Sequence, residues 1–542
     1  MTIRAKLQPA AAALWRHAVP LAAGAVLLVC CALLSPKRWM WMDELLSYQL
    51  AADPSWWHMI QALGDQVDTS PPLYFSLTWL WSAVFGASPL SLRLFSALGF
   101  AIALLLCWRL VRRRFGFWAA SLSVPLVFLG SHVLYEQNVQ ARFYGLFMAL
   151  AVWAVERCDA LIRERRPDKR LLLTNAAAHA GLILIHPFGL VYSCALLACL
   201  LLWDLLQRRW NGRLRVYGSF ALGWAPFFMW LGPFLRQLEV GEPCFWLPVP
   251  EWGWMHNCMT LGLQLGWLLL AVAAAVVLAW LDRRIESPSS DGLAPAAGRL
   301  HLLLLGLVLA FGVPLVAWLW SQIGRPVFLD RYMLPGLVGW VLILSLPASR
   351  VDAAWSATAG DTAPGRWWRR VRQAVVLALV GLALAIPVWR AWREDPKPVP
   401  GRGELIGLPD LPVAVESPHK YLPRRFYHPE APYFFILDWE AAMQPGGLAN
   451  STVDYKVMSA MKRHYPEHAI VSGERFLAEH DRFLLLDEDE RLWSEHRLER
   501  NPAYRVRRLR GRLHLVERRG ARSGSASVNS PDRRRKDSSS DQ

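Results

Sequence analysis

Long apolar segments recur along this 542-residue chain, and each is close to the length of a helix that crosses a lipid bilayer. Crossing the hydrocarbon core takes about 20 apolar residues, and a helix is favoured there because it satisfies its backbone hydrogen bonds internally. Hydrophobic residues make up 54% of the chain, more than a soluble protein ordinarily carries. We therefore predict an α-helical polytopic membrane protein with about 11 transmembrane helices, at residues 17–35, 92–110, 117–134, 142–158, 171–186, 189–206, 216–235, 254–281, 301–320, 332–348 and 373–390.

The net charge of +16 comes from short clusters of arginine and lysine between the apolar segments. Such clusters are typical of cytoplasmic loops, so the basic balance does not indicate nucleic-acid binding. If the N-terminus is cytoplasmic, the clusters at 4–16, 109–114, 163–170, 208–215, 283–284 and 366–372 all fall on the cytoplasmic side, with Lys37 and Arg38 as the main exception. The same count places the C-terminus outside the cytoplasm.

Residues 36–91 are predicted to form one large outer loop. Its apolar stretch from Pro72 to Phe85 is too short to span a bilayer, and a span here would move the cluster at 109–114 to the wrong side. We therefore expect this stretch to be an interfacial helix on the outer leaflet.

The chain changes character after Trp392. Residues 393–409 form a stiff, proline-rich linker between the membrane domain, residues 1–392, and a small C-terminal α/β domain over 410–520. Strand-like runs at Tyr433 to Leu437 and Phe483 to Leu486, and a helical stretch from Asp454 to Arg463, support this domain. The final residues, 521–542, are polar and predicted to be disordered.

Acidic and other polar side chains gather at the predicted outer boundary of the bilayer. The pair Asp43-Glu44 directly follows the first span, and a charge kept at a bilayer boundary indicates a functional site. Asp68 precedes the turn at Pro71-Pro72, and Arg142 ends a short, very polar hinge between two spans. Arg331 opens a later span, and its guanidinium group matches phosphate oxygens.

Each of these features also has a plain structural explanation. Asp43 can be an ordinary loop acid, and the Asp68 segment can simply begin a helix with a cap and a proline in its first turn. Arg331 with Tyr332 can be an interfacial anchor, and His186 can be a polar kink between helices.

The residues together resemble the GT-C superfamily of membrane glycosyltransferases. The resemblance covers roughly residues 17–350. Within the superfamily, the chain is most similar to bacterial members related to protein O-mannosyltransferases and lipid A aminoarabinose transferases. It is carried by Asp43-Glu44, Asp68 with Pro71-Pro72-Leu73-Tyr74, Gly86 with Arg93, the hinge from Gln140 to Gly145, and Arg331-Tyr332. The chain departs from the family at Phe143, where many relatives have proline, and at Thr69-Ser70, where relatives often have histidine.

The resemblance implies a polyprenyl-phosphate sugar donor and a lipid, glycan or protein acceptor on the outer face of the bacterial cytoplasmic (inner) membrane, with a periplasmic C-terminal domain. It implies Asp43 as the general base and inversion at the anomeric carbon. It implies substrate contacts from a larger set of residues: Glu44, Asp68, Tyr74, Glu136, Gln140, Arg142, Tyr144, His186, Arg331 and Tyr332.

No cofactor is required by this pattern, although a divalent metal could bind among Asp43, Glu44 and Asp68. The alternative is a multi-pass transporter or another lipid-handling protein. A transporter would carry charges within its spans and matching broken helices in two halves, whereas the mid-span positions here are nearly all apolar.

Overall fold

A computed structural model describes residues 3–239, 247–263, 299–357, 363–442, 452–487, 493, 497–498 and 501–520. Within these ranges the chain forms a helical part up to Arg393 and a part built on a β-sheet from Val413 onward. The predicted tail at 521–542 and most of the predicted span at 254–281 lie outside the described residues.

The helical part follows the apolar segments of the sequence, because burial of these side chains from water stabilises each helix. We number its described helices in chain order: α1 Ile3–Leu34, α2 Met42–Ala51, α3 Trp56–Gly64, α4 Pro72–Phe85, α5 Pro89–Phe115, α6 Phe117–Gly130, α7 His132–Gln137, α8 Tyr144–Arg163, α9 Lys169–Ile185, α10 Phe188–Leu206, α11 Leu214–Trp224, α12 Leu231–Glu239, α13 Trp252–Thr260, α14 Leu300–Leu307, α15 Val313–Ile323, α16 Gly336–Ala357 and α17 Ala363–Arg393.

Among the residues that the structure describes, five stretches are long and apolar enough to cross a membrane by length and composition: His17–Lys37, Pro89–Phe115, Phe188–Leu206, Leu300–Ile323 and Ala374–Arg393. Two shorter apolar helices, Phe117–Gly130 and Gly336–Ser349, accompany them. The described residues therefore support several membrane-spanning helices, while the predicted number of eleven stays a prediction.

The predicted span at 216–235 is not one continuous helix. It is divided into α11, a 3₁₀ segment at Ala225–Trp230, and α12. Pro226 lies at the start of the 3₁₀ segment and Pro233 within α12, and proline removes a backbone donor and disfavours a helix in the residue before it.

Helices α5 and α8 approach each other through glycine. A Cβ atom added at Gly145 would overlap the carbonyl oxygen of Ser96 in α5, and one at Gly99 would overlap the backbone of Gly145. Glycine at these positions lets the two backbones touch, so the start of α8 lies directly against α5.

The predicted outer loop contains three short helices. α2, α3 and α4 follow one another between Met42 and Phe85, and α2 contacts both α3 and α4. The helix over Pro72–Phe85 was expected from the sequence, and Pro71-Pro72 stand at its N-terminus. Asp68 accepts a 2.9 Å hydrogen bond from the backbone N–H of Ser70, which stabilises the turn before this helix.

The C-terminal part contains a six-stranded sheet with the order β3-β2-β1-β4-β6-β5. The first four strands in this order are parallel, and β6 pairs antiparallel with both β4 and β5. The predicted strands at 433–437 and 483–486 correspond to β2 and β4. The strands are β1 Val413–Val415, β2 Tyr433–Leu437, β3 Ile470–Ser472, β4 Arg482–Leu486, β5 Tyr504–Arg510 and β6 Leu513–Arg518, and the helices are α18 Pro418–Tyr427, α19 Trp439–Ala442, α20 Thr452–His464 and α21 Gly473–Glu479.

The sheet part is attached to the outer loop by polar contacts. Tyr465 donates a 2.8 Å hydrogen bond to Asp53, and Arg463 pairs with Asp65 at 2.8 Å. The hydroxyl of Tyr427 accepts a 2.9 Å hydrogen bond from the backbone N–H of Met40. These contacts hold α18 and α20 against the segment that carries Asp43.

Candidate active site

Asp43 and Glu44 lie in the first turn of α2, where a carboxylate is favoured by the helix dipole. Their environments differ sharply, because neighbouring residues on a helix point about 100° apart. The side chain of Asp43 is 23% exposed, whereas that of Glu44 is 2% exposed. Asp43 is therefore the member of the pair that a substrate can reach.

Glu44 is paired with Arg93, which α5 holds inside the protein. Arg93 donates to both carboxylate oxygens at 2.8 Å, and the backbone N–H of Ala141 donates to Glu44 at 2.8 Å. Arg93 also donates to three backbone carbonyls, those of Ser35, Arg38 and Trp39. This network gives Glu44 a structural role instead of the substrate contact expected from the sequence, and it shapes the segment leading to Asp43.

Arg142 lies between two acids of the outer loop. Its Nη1 donates to Asp68 at 2.6 Å and to the backbone carbonyl of Asp43 at 3.0 Å. Its Nη2 lies 3.9 Å from the Asp43 carboxylate. Nη1 also donates a hydrogen bond of 3.2 Å to the hydroxyl of Ser47. Arg142 and Asp68 are both buried, so Asp68 fixes the guanidinium group beside Asp43.

Arg331 approaches the same carboxylate from the segment between α15 and α16. Burial opposes its charge, but Tyr144, Tyr332 and Asp43 together raise its pKa above the ordinary value. Its guanidinium carbon lies 5.7 Å from the ring centre of Trp41. Arg142 and Arg331 thus bring two positive charges to Asp43 from distant parts of the chain.

Aromatic rings form one wall of the cluster. His186 stacks on Phe143 with ring centres 4.4 Å apart and lies 4.7 Å from the ring of Tyr332. Tyr144 follows Phe143 at the start of α8, with ring centres 4.5 Å apart. The structure therefore brings His186, Tyr144 and Tyr332 together near the two arginines.

Other predicted residues lie elsewhere. Tyr74 is fully buried, its hydroxyl is 3.3 Å from that of Ser96, and its ring supports Phe143 from below. Burial closes Tyr74 to a substrate, which differs from the predicted contact. Glu136 pairs with Arg38 at 2.8 Å, away from the Asp43 carboxylate.

Glu136 and Gln140 line a second opening next to the cluster. This open cavity of about 300 Å³ also has Arg38, Arg93 and Lys397 in its wall, whereas Asp43 is not part of its lining. Three of the predicted substrate contacts, Glu44, Glu136 and Gln140, therefore line a neighbouring cavity whose lining does not include Asp43.

Two residues of the sheet part reach the cluster without having been predicted. Asp454 of α20 and His419 of α18 lie within electrostatic reach of the Asp43 carboxylate. The ring of His419 stacks on Trp41 with centres 6.5 Å apart. Nothing in their local sequence pattern marks them, because the contact joins segments more than 370 residues apart. Arg93 is one of the residues that carry the family resemblance. Its position inside an apolar helix was a signal that could have identified it as a buried ion-pair partner.

Among the residues that the structure describes, no group of three or more His, Cys, Asp and Glu side chains is arranged to hold a metal ion. Asp68 and Glu44 are each engaged by an arginine, so neither carboxylate is open to a cation. What the arrangement offers chemically is a reachable carboxylate between two guanidinium groups, which can take a proton and stabilise a developing negative charge.

Comparisons with known proteins bear on the family and on the fold. Residues 69–231 match the family model described as dolichyl-phosphate-mannose-protein mannosyltransferase. The fold is similar to that of ArnT from Cupriavidus metallidurans in the apo state, with a TM-score of 0.55 and 14% identity over 93% of this chain and 98% of that one. It is also similar to ArnT bound to undecaprenyl phosphate, with a TM-score of 0.51 and 16% identity over 92% and 97% of the two chains.

No protein of curated function matches the chain by sequence. The matched segment contains Arg142, and the fold is similar to that of ArnT, so both comparisons support the resemblance to GT-C membrane glycosyltransferases.

Proposed function

We propose that this chain is an integral membrane glycosyltransferase that moves a sugar from a polyprenyl-phosphate donor to an acceptor hydroxyl at the outer face of the cytoplasmic membrane. The observation that carries the proposal is the exposed carboxylate of Asp43, held 3.9 Å from Arg142 and within electrostatic reach of Arg331. The ArnT fold supports the same class, and that relative binds undecaprenyl phosphate.

Asp43 acts as the general base. An acceptor hydroxyl is a weak nucleophile at neutral pH, and a carboxylate within hydrogen-bond reach removes its proton as the attack proceeds, which contributes about 10²–10⁴ in rate. The acceptor oxygen bonds to the anomeric carbon as the bond from that carbon to the phosphate oxygen breaks. The proton passes to Asp43, and the configuration at the anomeric carbon is inverted.

Arg142 and Arg331 receive the leaving group. The electron pair of the broken bond goes to the phosphate oxygen, whose growing charge is stabilised by the two guanidinium groups. The hydrogen bond from Arg142 to Asp68 keeps the first of these groups in place before the substrate arrives. Tyr332, which is only partly buried, forms the aromatic side of the sugar site. His186 packs against its ring, and Tyr144 lies buried against Phe143.

The test uses purified protein in proteoliposomes with a panel of radiolabelled undecaprenyl-phosphate sugars. The acceptor is a cell-envelope fraction from a strain that lacks the gene. We expect label to move from the lipid to the envelope fraction for one of the donors, with or without EDTA, because the site provides its own charges.

The Asp43→Asn variant is the decisive comparison, since it removes the base and keeps the shape of the side chain. We expect transfer to fall by about 10²–10⁴. Asp481→Asn, a change of the same kind at an exposed acid that pairs with Arg518 at 3.4 Å, is the matched control and should keep most of the activity. Transfer at the wild-type rate by Asp43→Asn would remove Asp43 from the mechanism, and no transfer by the wild type with any donor would refute the function.

A further inference from the structure

The sheet part supplies a histidine and an acid to the site of Asp43. His419 stands near the N-terminus of α18 and Asp454 near the N-terminus of α20. The Nε2 atom of His419 lies 3.7 Å from Oδ2 of Asp454. The pair therefore joins two helices of the C-terminal part at one point.

That point lies over the start of α2. The rings of His419 and Trp41 are nearly parallel, with an angle of 6° between their planes. Trp41 also contacts the guanidinium group of Arg331, and it precedes Asp43 by two residues. Asp454 and His419 both interact electrostatically with Asp43. Trp41 thus contacts both Arg331 and His419 of the sheet part.

The opposite end of α20 is anchored on the outer loop. Arg463 and His464 both contact Asp65, at 2.8 and 3.1 Å. Tyr465, which follows the helix, donates to the buried carboxylate of Asp53. The C-terminal end of α20 is therefore fixed on the outer loop, and its first turn places Asp454 within electrostatic reach of Asp43.

We propose that His419 and Asp454 form the acceptor side of the active site and hold the attacking hydroxyl group against Asp43. This inference rests on the proposed function. Arg142 and Arg331 hold the donor phosphate, so the acceptor has to enter from another side, and the His419–Asp454 pair borders Asp43 from the sheet part. Carboxylate and imidazole groups accept hydrogen bonds, and an acceptor rich in hydroxyl groups, such as a glycan, offers matching donors.

The titration of Asp454 supports the arrangement. Burial and the nearby charge of Asp43 raise the pKa of Asp454 to about 7. The charged groups that face it include Asp43 from α2 and His419 from α18. Asp454 therefore changes from a mainly protonated to a mainly ionised group across neutral pH, and only the ionised group accepts hydrogen bonds through both oxygens.

The test compares wild type, Asp454→Asn and His419→Gln in the transfer assay, with the envelope fraction from the deletion strain titrated as acceptor. We expect each variant to need roughly tenfold more acceptor for half-maximal transfer, which corresponds to the loss of about one hydrogen bond. Binding of labelled undecaprenyl phosphate by the detergent-purified protein should be unchanged. In wild type the transfer rate at low acceptor should rise between about pH 6 and about pH 8 as Asp454 ionises, and Asp454→Asn should lack this rise.

Asp481→Asn is the matched control, because Asp481 is an exposed acid of the same sheet part that pairs with Arg518. It should keep the wild-type acceptor dependence and pH profile. If Asp454→Asn and His419→Gln keep both as well, the inference is wrong while the proposed function stands. If both variants lose binding of undecaprenyl phosphate by the purified protein together with transfer, the pair serves the fold or the donor, and the inference is also wrong. A wild type that transfers no sugar refutes the proposed function and, with it, this role.

Discussion

Replacing Glu44 by glutamine should destabilise the protein far more than the same change at the neighbouring Asp43. Glu44→Gln keeps the size of the side chain and removes its charge. It leaves the guanidinium group of Arg93, which is 1% exposed, without its carboxylate partner. The two adjacent acids therefore separate a role in stability from a role in catalysis.

The magnitude follows from the contacts. Glu44 accepts three hydrogen bonds of 2.8 Å, two from Arg93 and one from the backbone of Ala141. Removing one partner of a buried ion pair costs about 3–5 kcal/mol, because the other charge is left without compensation. Arg93 retains its bonds to three backbone carbonyls. We therefore expect the lower end of this range, about 3 kcal/mol.

The assay is thermal unfolding of the detergent-solubilised protein, followed by intrinsic tryptophan fluorescence. Glu44→Gln should lower the apparent Tm by roughly 5 °C or more. Asp43→Asn should change it little, because its partly exposed carboxylate lies 3.9 Å from Arg142 and such contacts contribute about 1 kcal/mol or less. Equal melting temperatures for the two variants would refute the assignment of Glu44 as the buried partner of Arg93.

Three further outcomes are expected. Arg331→Met should lower sugar transfer, measured with labelled donor, by about 10²–10³. Arg331→Lys should recover only part of the loss, because lysine lacks the planar fork of donors. Full activity of Arg331→Met would exclude a phosphate contact. Gly145→Ala should reduce the yield of folded protein on size-exclusion chromatography, because its Cβ would overlap the backbone of α5, whereas Gly381→Ala, where nothing lies within 4 Å, should behave as wild type. Burial opposes the ionisation of Asp65, but Arg463 and His464 lower its pKa below the ordinary 3.8. The contacts of Asp65 therefore stabilise the end of α20 fully above that value, and this stabilisation is lost as the pH falls through the lowered pKa. Limited proteolysis near α20 should accelerate in acid for wild type, and Asp65→Asn should lose this pH dependence.

Much of the helical part was predictable because hydropathy and length act locally. Helices stand at the predicted apolar segments that the structure describes, and the strand-like runs in the C-terminal part form β2 and β4. The sorting of polar residues by membrane side predicted that Asp43, Arg142 and Arg331 meet. In the structure Arg142 lies 3.9 Å from the Asp43 carboxylate, and Arg331 lies within electrostatic reach of it.

The division of labour within that site could not be predicted in the same way. Asp43 and Glu44 are adjacent acids that the sequence does not distinguish. Only the rotation of α2 decides that Asp43 stays partly exposed and that Glu44 pairs with Arg93. Tyr74 and Gln140 were likewise predicted to contact the substrate from their places in the sequence. In the structure Tyr74 is buried, and Gln140 lines a neighbouring cavity.

By itself, then, the sequence determined that the chain is a helical membrane protein with acids and arginines at one boundary, because apolar length and charge placement are properties of single segments. The tertiary structure alone decided which carboxylate stays reachable and that His419 and Asp454 lie beside it. Those outcomes depend on how helices rotate and on contacts between residues hundreds of positions apart, and no local pattern encodes such contacts.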